Sequence, residues 1–375
     1  MTEQVRLSDV CLVKGGKRLP KGTDFSKEKT AYPYIRVADF QNGSVNTKNL
    51  KYLDYDTHIQ IKRYMINRDD VYISITGNIG IVGMIPDELD GTNLTENAAR
   101  LIIKDKSILD RDFLALFLQS PFGQKQIRKR TNIVGQSKLA LTRIATINFP
   151  LLSLSEQKRI AAILNEQLTA VEKARVSAKE RIEAAKTLPA AYLRAVFESP
   201  EAEKWSKIKF EEVSILQRGY DLPSHKQKPG DYPIITSSGI KGSHNAYQAK
   251  GPGIITGRNG SIGKVFFIDK DYWPHNTTLF VKDFKGNIPK YIFYLLQWLD
   301  LKIISSGSAV PTLDRKNVHK LVLPHPSIAK QKEIVSSLDK KTALAEYVCK
   351  QLEDELKTIE KLTAALLRQA FNGEL

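Results

Sequence analysis

The chain says most things twice, and in the same order. Val5-Arg6-Leu7-Ser8-Asp9-Val10 is echoed by Ile208-Lys209-Phe210-Glu211-Glu212-Val213, and Gly16 falls on Gly219 at the same offset. Tyr32-Pro33 returns as Tyr232-Pro233. Thr76-Gly77-Asn78-Ile79-Gly80 lines up with Thr256-Gly257-Arg258-Asn259-Gly260, Asn97 with Asn276, and Gly135 with Gly307. The apolar run Leu109 to Leu118 answers Ile288 to Gln297. Pro150 to Phe197 then runs without a gap onto Pro324 to Phe371, with Gln157/Gln331, Ile160/Ile334, Arg194/Arg368 and Phe197/Phe371 matched. Chance similarity does not preserve order over a whole chain, so the unit is duplicated. Identities are sparse early in each half and denser late. Each half therefore reads as a variable globular domain followed by a more uniform helical arm, over 1–152, 153–199, 200–326 and 327–375.

The globular parts read as mixed α/β (α+β). Asp69 to Thr76 is rich in β-branched and aromatic residues before a glycine turn, and Gly253 to Thr256 repeats the signal. Val265 to Ile268 is a return strand. Asp112 to Ser120 and Pro289 to Trp298 read as short helices, the second opened by proline.

The arms read as long helices. Leu338, Thr342, Ala345, Cys349, Leu352, Leu356, Ile359, Thr363 and Leu366 follow a 4-3 spacing, which is a heptad seam. The first arm matches it with Leu164, Leu168, Val171, Arg175, Ala178, Ile182, Ala185, Pro189 and Tyr192. Pro189 predicts a helix break, and Ser155 with Glu156 predicts the N-cap and first turn. Each arm has one stripe to bury, so the two are expected to pair as an antiparallel coiled coil with an internal pseudo-twofold.

Among 375 residues, 57 Lys+Arg stand against 41 Asp+Glu, a formal charge of +16. Such a surplus attracts a polyanion, and nucleic acid leads because Lys and Arg release counterions from phosphates. The two cysteines, Cys11 and Cys349, suggest neither a disulfide framework nor a zinc site. No secretion signal and no apolar run of membrane-spanning length is legible, so a cytoplasmic protein is expected.

Searches for chemistry fail on spacing. Gly257 to Val265 is not a phosphate loop, since its glycines are displaced and Val265 stands where Ser or Thr must hold magnesium. Gly77-x-x-Gly80-x-x-Gly83 lacks the dinucleotide fingerprint. The six histidines show no ligand spacing. No catalytic residue and no metal site is assigned.

Base readout needs donors and acceptors on exposed loops, and phosphate contact needs cations, hydroxyls and backbone amides. The candidates for DNA contact in the first half are Arg36, Thr76, Asn78, Asn97, Gln136, Ser137 and Lys138. In the second half they are Thr236, Ser237, Ser238, Arg258, Asn259, His275, Asn276 and Ser308. The basic run Lys125 to Arg130 is a further candidate for tracking phosphates.

Two stretches point to a family. Phe149-Pro150-Leu151 through Ser155-Glu156-Gln157-Lys158-Arg159-Ile160, and Leu323-Pro324-His325-Pro326 through Gln331-Lys332-Glu333-Ile334, resemble the proline and helix start that follow each target recognition domain in specificity (S, HsdS) subunits of Type I restriction-modification systems. The arm ends, Leu193-Arg194-x-x-Phe197 and Leu367-Arg368-x-x-Phe371, resemble the same family. Lys330 departs from it where the first half has Glu156. The resemblance implies two target recognition domains, each reading one half of a bipartite double-stranded DNA target, with the arms setting the gap. It implies docking of two methyltransferase (M) subunits and of restriction (R) subunits. S-adenosylmethionine, ATP and magnesium would belong to those partners, leaving this chain without cofactor or catalysis. A fused DNA-modifying enzyme, a non-DNA coiled-coil scaffold and a silent copy without working partners remain the alternatives.

Overall fold

The computed structural model describes residues 3–132, 137–305 and 311–374. The chain divides into two units, Met1–Ser177 with Glu355–Leu375, and Ala178–Asp354.

In the first unit, four antiparallel strands run in the order Cys11–Gly15, Ala98–Ile103, Val71–Ser74 and Val82–Met84. Val71–Ser74 is buried at every residue, as a central strand covered on both faces must be. Cys11–Gly15 lies at the edge and alternates buried with more exposed positions. A second sheet runs Lys51–Leu53, Tyr32–Ile35, Thr92–Leu94, Met65–Ile66, and its central pair is parallel. The strand Glu3–Arg6 pairs with Asn148–Leu151 and ties the start of the chain to the foot of the first arm.

The helix Arg111–Gln119 packs on the first sheet and buries every residue from Phe113 to Leu118. Asp110 caps it by accepting the Phe113 N–H at 2.9 Å. Pro121 ends it, and Ser120 caps the next helix, Pro121–Arg130.

The first arm is one helix, Leu154–Phe197. Its N-cap is Ser153, not Ser155: the Ser153 hydroxyl accepts the Glu156 N–H at 3.4 Å. Ser155 lies one position inside the helix, where its hydroxyl meets that of Ser153 instead. Ser327 plays the same part for the second arm, Ile328–Phe371, accepting the Lys330 N–H.

Pro189 does not break the first arm. An internal proline loses one backbone hydrogen bond and costs about 3 kcal/mol. Ala185 before it and Leu193 and Phe197 after it are buried on one stripe. Each of the two larger side chains contributes roughly 1.5–3 kcal/mol on burial, enough to offset the loss.

The arms pair antiparallel inside each unit. In the first unit, Leu164 shares a core with Leu367 and Ala370, while Arg175 lies near Glu360. The Arg175 guanidinium sits on the seam but is neutralised by Glu172 at 2.6 Å. In the second unit, the Lys341 ammonium lies 5.6 Å from the Tyr192 ring centre. The seam residues Leu338, Ala345, Leu352 and Ile359 are buried, as the 4-3 spacing requires; Thr363 is exposed, and burial passes to Leu367 and Ala370.

The second unit repeats the plan. Its antiparallel sheet runs Ile215–Arg218, Thr278–Asp283, Gly253–Gly257, Val265–Ile268. Its smaller sheet has three strands, with Tyr232–Thr236 parallel to Trp273–Pro274. Ser206–Lys209 pairs with Val322–His325, as the corresponding strands do in the first unit. The helix Pro289–Trp298 takes the place of Arg111–Gln119.

Candidate nucleic-acid interface

In each unit the chain crosses from the small sheet to the large one through a short polar connection. Four other segments converge on that crossing. In the first unit the Thr95 N–H donates to Ile35 O at 3.0 Å and the Gly16 N–H to Ala98 O at 3.0 Å. Lys17 N–H donates to Leu94 O, Ile75 N–H to Asn97 O, and Leu139 N–H to Ile75 O, each at 2.8–3.0 Å. Thr76 bridges to Lys138. The crossing thus brings Arg36, Thr76, Asn78, Asn97, Ser137 and Lys138 into one cluster of loops. Gln136 lies outside the described residues.

The second unit makes the same bonds. His275 N–H donates to Ile235 O, Gly219 N–H to Thr278 O, Tyr220 N–H to Pro274 O, Arg258 N–H to Thr277 O and Leu313 N–H to Arg258 O, at 2.8–3.0 Å. Asn259 bridges to Thr312. Thr236, Ser237, Ser238, Arg258, Asn259, His275 and Asn276 are gathered there. Ser308 lies outside the described residues.

These bonds set the true register of the repeat. Gly16 matches Gly219, and at both a Cβ would lie 2.1 Å from a carbonyl oxygen of the crossing, so only glycine fits. The Tyr-Pro pairs also match. The glycine hairpins do not align as their letters suggest. Thr76-Gly77-Asn78-Ile79-Gly80 matches Asn259-Gly260-Ser261-Ile262-Gly263, three residues later than the Thr-Gly match. The φ angles confirm it: 72° and 91° at Gly77 and Gly80, 80° and 88° at Gly260 and Gly263, while Gly257 has no positive φ. Asn97 matches Thr277 rather than Asn276, whose counterpart is Glu96.

The side chains on this shared frame differ. Arg36 is committed to its own turn, giving Nε and Nη2 to buried Asp39 at 3.1 and 2.7 Å and Nη2 to Asn49 O. Thr236 is buried and closes a turn through Gly239 O and the Ser238 hydroxyl. Asn78, Lys138 and Ser238 are exposed, and Thr76, Asn97, Ser137, Ser237, Arg258, Asn259, His275 and Asn276 are half-buried. Among the described residues the Asn259 Oδ1 is buried without a hydrogen-bond partner. Burial first, and then Lys241, hold the His275 imidazole below its ordinary pKa, leaving it neutral and able to accept. Asn276 donates to the Asp221 carboxylate. Of the run Lys125 to Arg130, Arg130 anchors its helix to Thr146, while Lys125, Arg128 and Lys129 are exposed.

Arg18, Glu96 and Asp221 were not singled out from the sequence. Their signal was available: Arg18 and Asp221 both stand two residues after the matched glycine. The Arg18 Nε donates to Glu96 Oε1 at 2.9 Å, and Glu96 Oε2 accepts from Thr95 Oγ1 at 3.0 Å and lies 3.4 Å from the Tyr34 hydroxyl oxygen. Burial alone would raise the Glu96 carboxyl, but Arg18, a backbone amide and Thr95 together hold it below its ordinary value.

Among the described residues there is no group of three or more side chains that could hold a metal ion, and no helix long and apolar enough to cross a membrane. The frame offers polar side chains on rigid backbone, suited to recognition.

A family model described as the Type I restriction modification DNA specificity domain matches residues 2–182 and 202–358. The chain is similar to the specificity subunit of the Type I restriction enzyme EcoKI of Escherichia coli K12, 21% identical over 95% of this chain and 87% of that one. It is also similar to a putative Type I specificity subunit, MjaX, of Methanocaldococcus jannaschii, 21% identical over 91% of this chain and 88% of that one. A chain from a solved structure of a type I R-M system in complex assembly has the same fold, with a TM-score of 0.79 at 18% identity, covering 100% of this chain and 98% of that one. The HsdS subunit of Thermoanaerobacter tengcongensis matches with a TM-score of 0.63 at 18% identity, covering 100% and 97%.

Proposed function

The chain belongs to the Type I restriction-modification specificity-subunit family, and from that premise we propose that each unit reads one half of a bipartite double-stranded DNA target while the chain itself catalyses nothing. The observation that carries this reading is the pair of loop clusters: the same backbone bonds recur in both units under different side chains. A constant frame with changed side chains is what two readers of different half-targets need. The net charge of +16 supports association with a polyanion.

The arms set the unspecified gap and dock two methyltransferase subunits, with restriction subunits added outside. In support, the arms keep large apolar side chains exposed: Leu344 at 59% and Tyr347 at 61% in the second unit, Val176 at 45% and Leu362 at 41% in the first. Such side chains suit a protein partner. S-adenosylmethionine, ATP and magnesium are left to those partners, and the complex acts on DNA in the cytoplasm. The contacting residues are drawn from the loop-cluster residues named above.

The test is co-expression with the cognate methyltransferase subunit, followed by sequencing of methylated bases in host DNA. A split methylation motif that depends on this chain is expected. An intact methyltransferase partner without such a motif overturns the reading, as does methylation by the purified chain alone.

A further inference from the structure

We propose that Arg18 is a guanine-reading residue of the first unit, held in its reading position by Glu96, and that the equivalent position pair in the second unit, Asp221 and Asn276, reads a different base. The inference rests on the DNA-recognition reading and goes beyond it by naming the determinant.

The geometry separates Arg18 from the other arginine of the same cluster. Arg36 gives both Nε and a terminal nitrogen to Asp39 and the second bond of that nitrogen to Asn49 O. Arg18 gives only Nε, to Glu96 Oε1 at 2.9 Å. Its terminal nitrogens have no partner among the described residues, and its side chain is 79% exposed. A guanidinium held at Nε presents a terminal pair of donors in a fixed plane, the geometry that matches the O6 and N7 acceptors of guanine.

Glu96 is fitted to be the holder. It is anchored by Thr95 Oγ1 at 3.0 Å; the Tyr34 hydroxyl oxygen lies 3.4 Å from the carboxylate and gives its single proton to Lys17 O at 2.8 Å. Lys17 is in turn bonded to Leu94 O. Thr95 thus holds the carboxylate, and Tyr34 beside it holds the Lys17 backbone next to Arg18. Of the two carboxylates at the cluster, Asp39 is buried and occupied by Arg36, which leaves Glu96 beside Arg18. A carboxylate beside phosphates is repelled, so its use in a DNA-facing cluster is to orient a donor or to meet a base amine.

The second unit keeps the pair and reverses it. The carboxylate, Asp221, stands at the Arg18 position, and Asn276 stands at the Glu96 position and donates to it. Arg218 lies 3.7 Å from the same carboxylate. An amide held by one N–H still offers an acceptor and a second donor, the pattern that pairs with adenine.

The experiment uses the full chain co-expressed with its methyltransferase partner. Wild type, Arg18→Ala and Glu96→Gln are compared by their methylation motifs in host DNA and by competition between duplexes varied at each target position. Arg18→Ala is expected to relax one G·C position in one half-target, lowering discrimination there on the order of 5- to 150-fold, and to leave the other half unchanged. Glu96→Gln is expected to weaken discrimination at that same position by less. Far-ultraviolet circular dichroism and melting checks that both variants fold. A uniform loss of affinity across all sequences, with the salt slope reduced by about one, would make Arg18 a phosphate contact and overturn the proposal. An unchanged motif overturns it too, as does relaxation by Glu96→Gln at a different position. If wild type itself shows no split motif, it is the DNA-recognition reading that fails.

Discussion

The Phe371 ring lies 5.3 Å from the ring of Phe113 and 5.4 Å from that of Phe117. The end of the second arm is thus built into the core of the first unit. Phe197, at the end of the first arm, lies 5.1 Å from Trp298 and 5.9 Å from Tyr291 in the second unit. Each arm starts in the core of its own half and ends in the core of the other.

Phe197→Ala should therefore destabilise the second unit, not the domain that precedes it in sequence. Phe197 is 3% exposed, and its loss is expected to cost about 3 kcal/mol. Hydrogen exchange checks this: protection should fall in Pro289–Trp298 and stay unchanged in Arg111–Gln119.

Gln157 and Gln331 are both fully buried. Gln157 accepts the Asp110 N–H at 2.8 Å and donates to Ile108 O and Leu152 O. Gln331 accepts the Ile288 N–H at 3.1 Å in the same way. Gln157→Leu removes the partner of those three backbone groups, and a loss of about 2 kcal/mol in urea unfolding is expected.

Gly219→Ala places a Cβ 2.1 Å from His275 O and 2.6 Å from Pro274 O. The backbone must shift, at a cost of about 2 kcal/mol, and the crossing moves with it. Methylation-motif sequencing should show specificity lost in one half-target only. Gly242→Ala, where nothing lies within 4 Å, is the matched control.

Three histidines give the second unit an acid-side weakness. Burial holds His275, His319 and His325 below the ordinary value of 6.5. The unfolded chain then binds more protons, so stability falls as pH drops through 6.5. His319 Nε2 also accepts the Leu216 N–H at 2.9 Å, a bond that protonation removes. Urea midpoints at pH 7.5 and 5.5 should differ, and His319→Gln should narrow the difference.

Inserting seven residues after Ser177 and seven after Asp354 keeps both seams in register and lengthens each arm by about 10 Å. If the arms set the gap, the methylation motif should gain about three base pairs between unchanged half-targets, at roughly 3.4 Å each. An unchanged gap would remove the arms from that role.

Much of the architecture was legible beforehand because it rests on local rules. The 4-3 spacing gave the seam whose Leu338, Ala345 and Leu352 are buried. Asp69 to Thr76 carried its strand by composition, and Pro289 to Trp298 its helix by an apolar run opened by proline. The candidate site was legible only as a set of loops. Thr76, Asn97 and Lys138 do meet, but Arg36 is occupied by Asp39, and Arg18 went unnoticed. An arginine's availability depends on which carboxylate lies beside it, and that neighbour is distant in sequence.

The amino-acid sequence by itself determined the duplication, the helical arms and their buried stripe, since periodicity and capping act between residues a few positions apart. The tertiary structure decided which core receives each arm's last turn, because an apolar stripe carries no label for its partner. It also decided the register of the repeat. Glycines have no side chain to mark a position, so Thr76 could be laid on Thr256 until the backbone bonds and φ angles matched it to Asn259. Pro189 shows the same rule from the other side: a local signal to break the helix is overridden by burial of Leu193 and Phe197 beyond it.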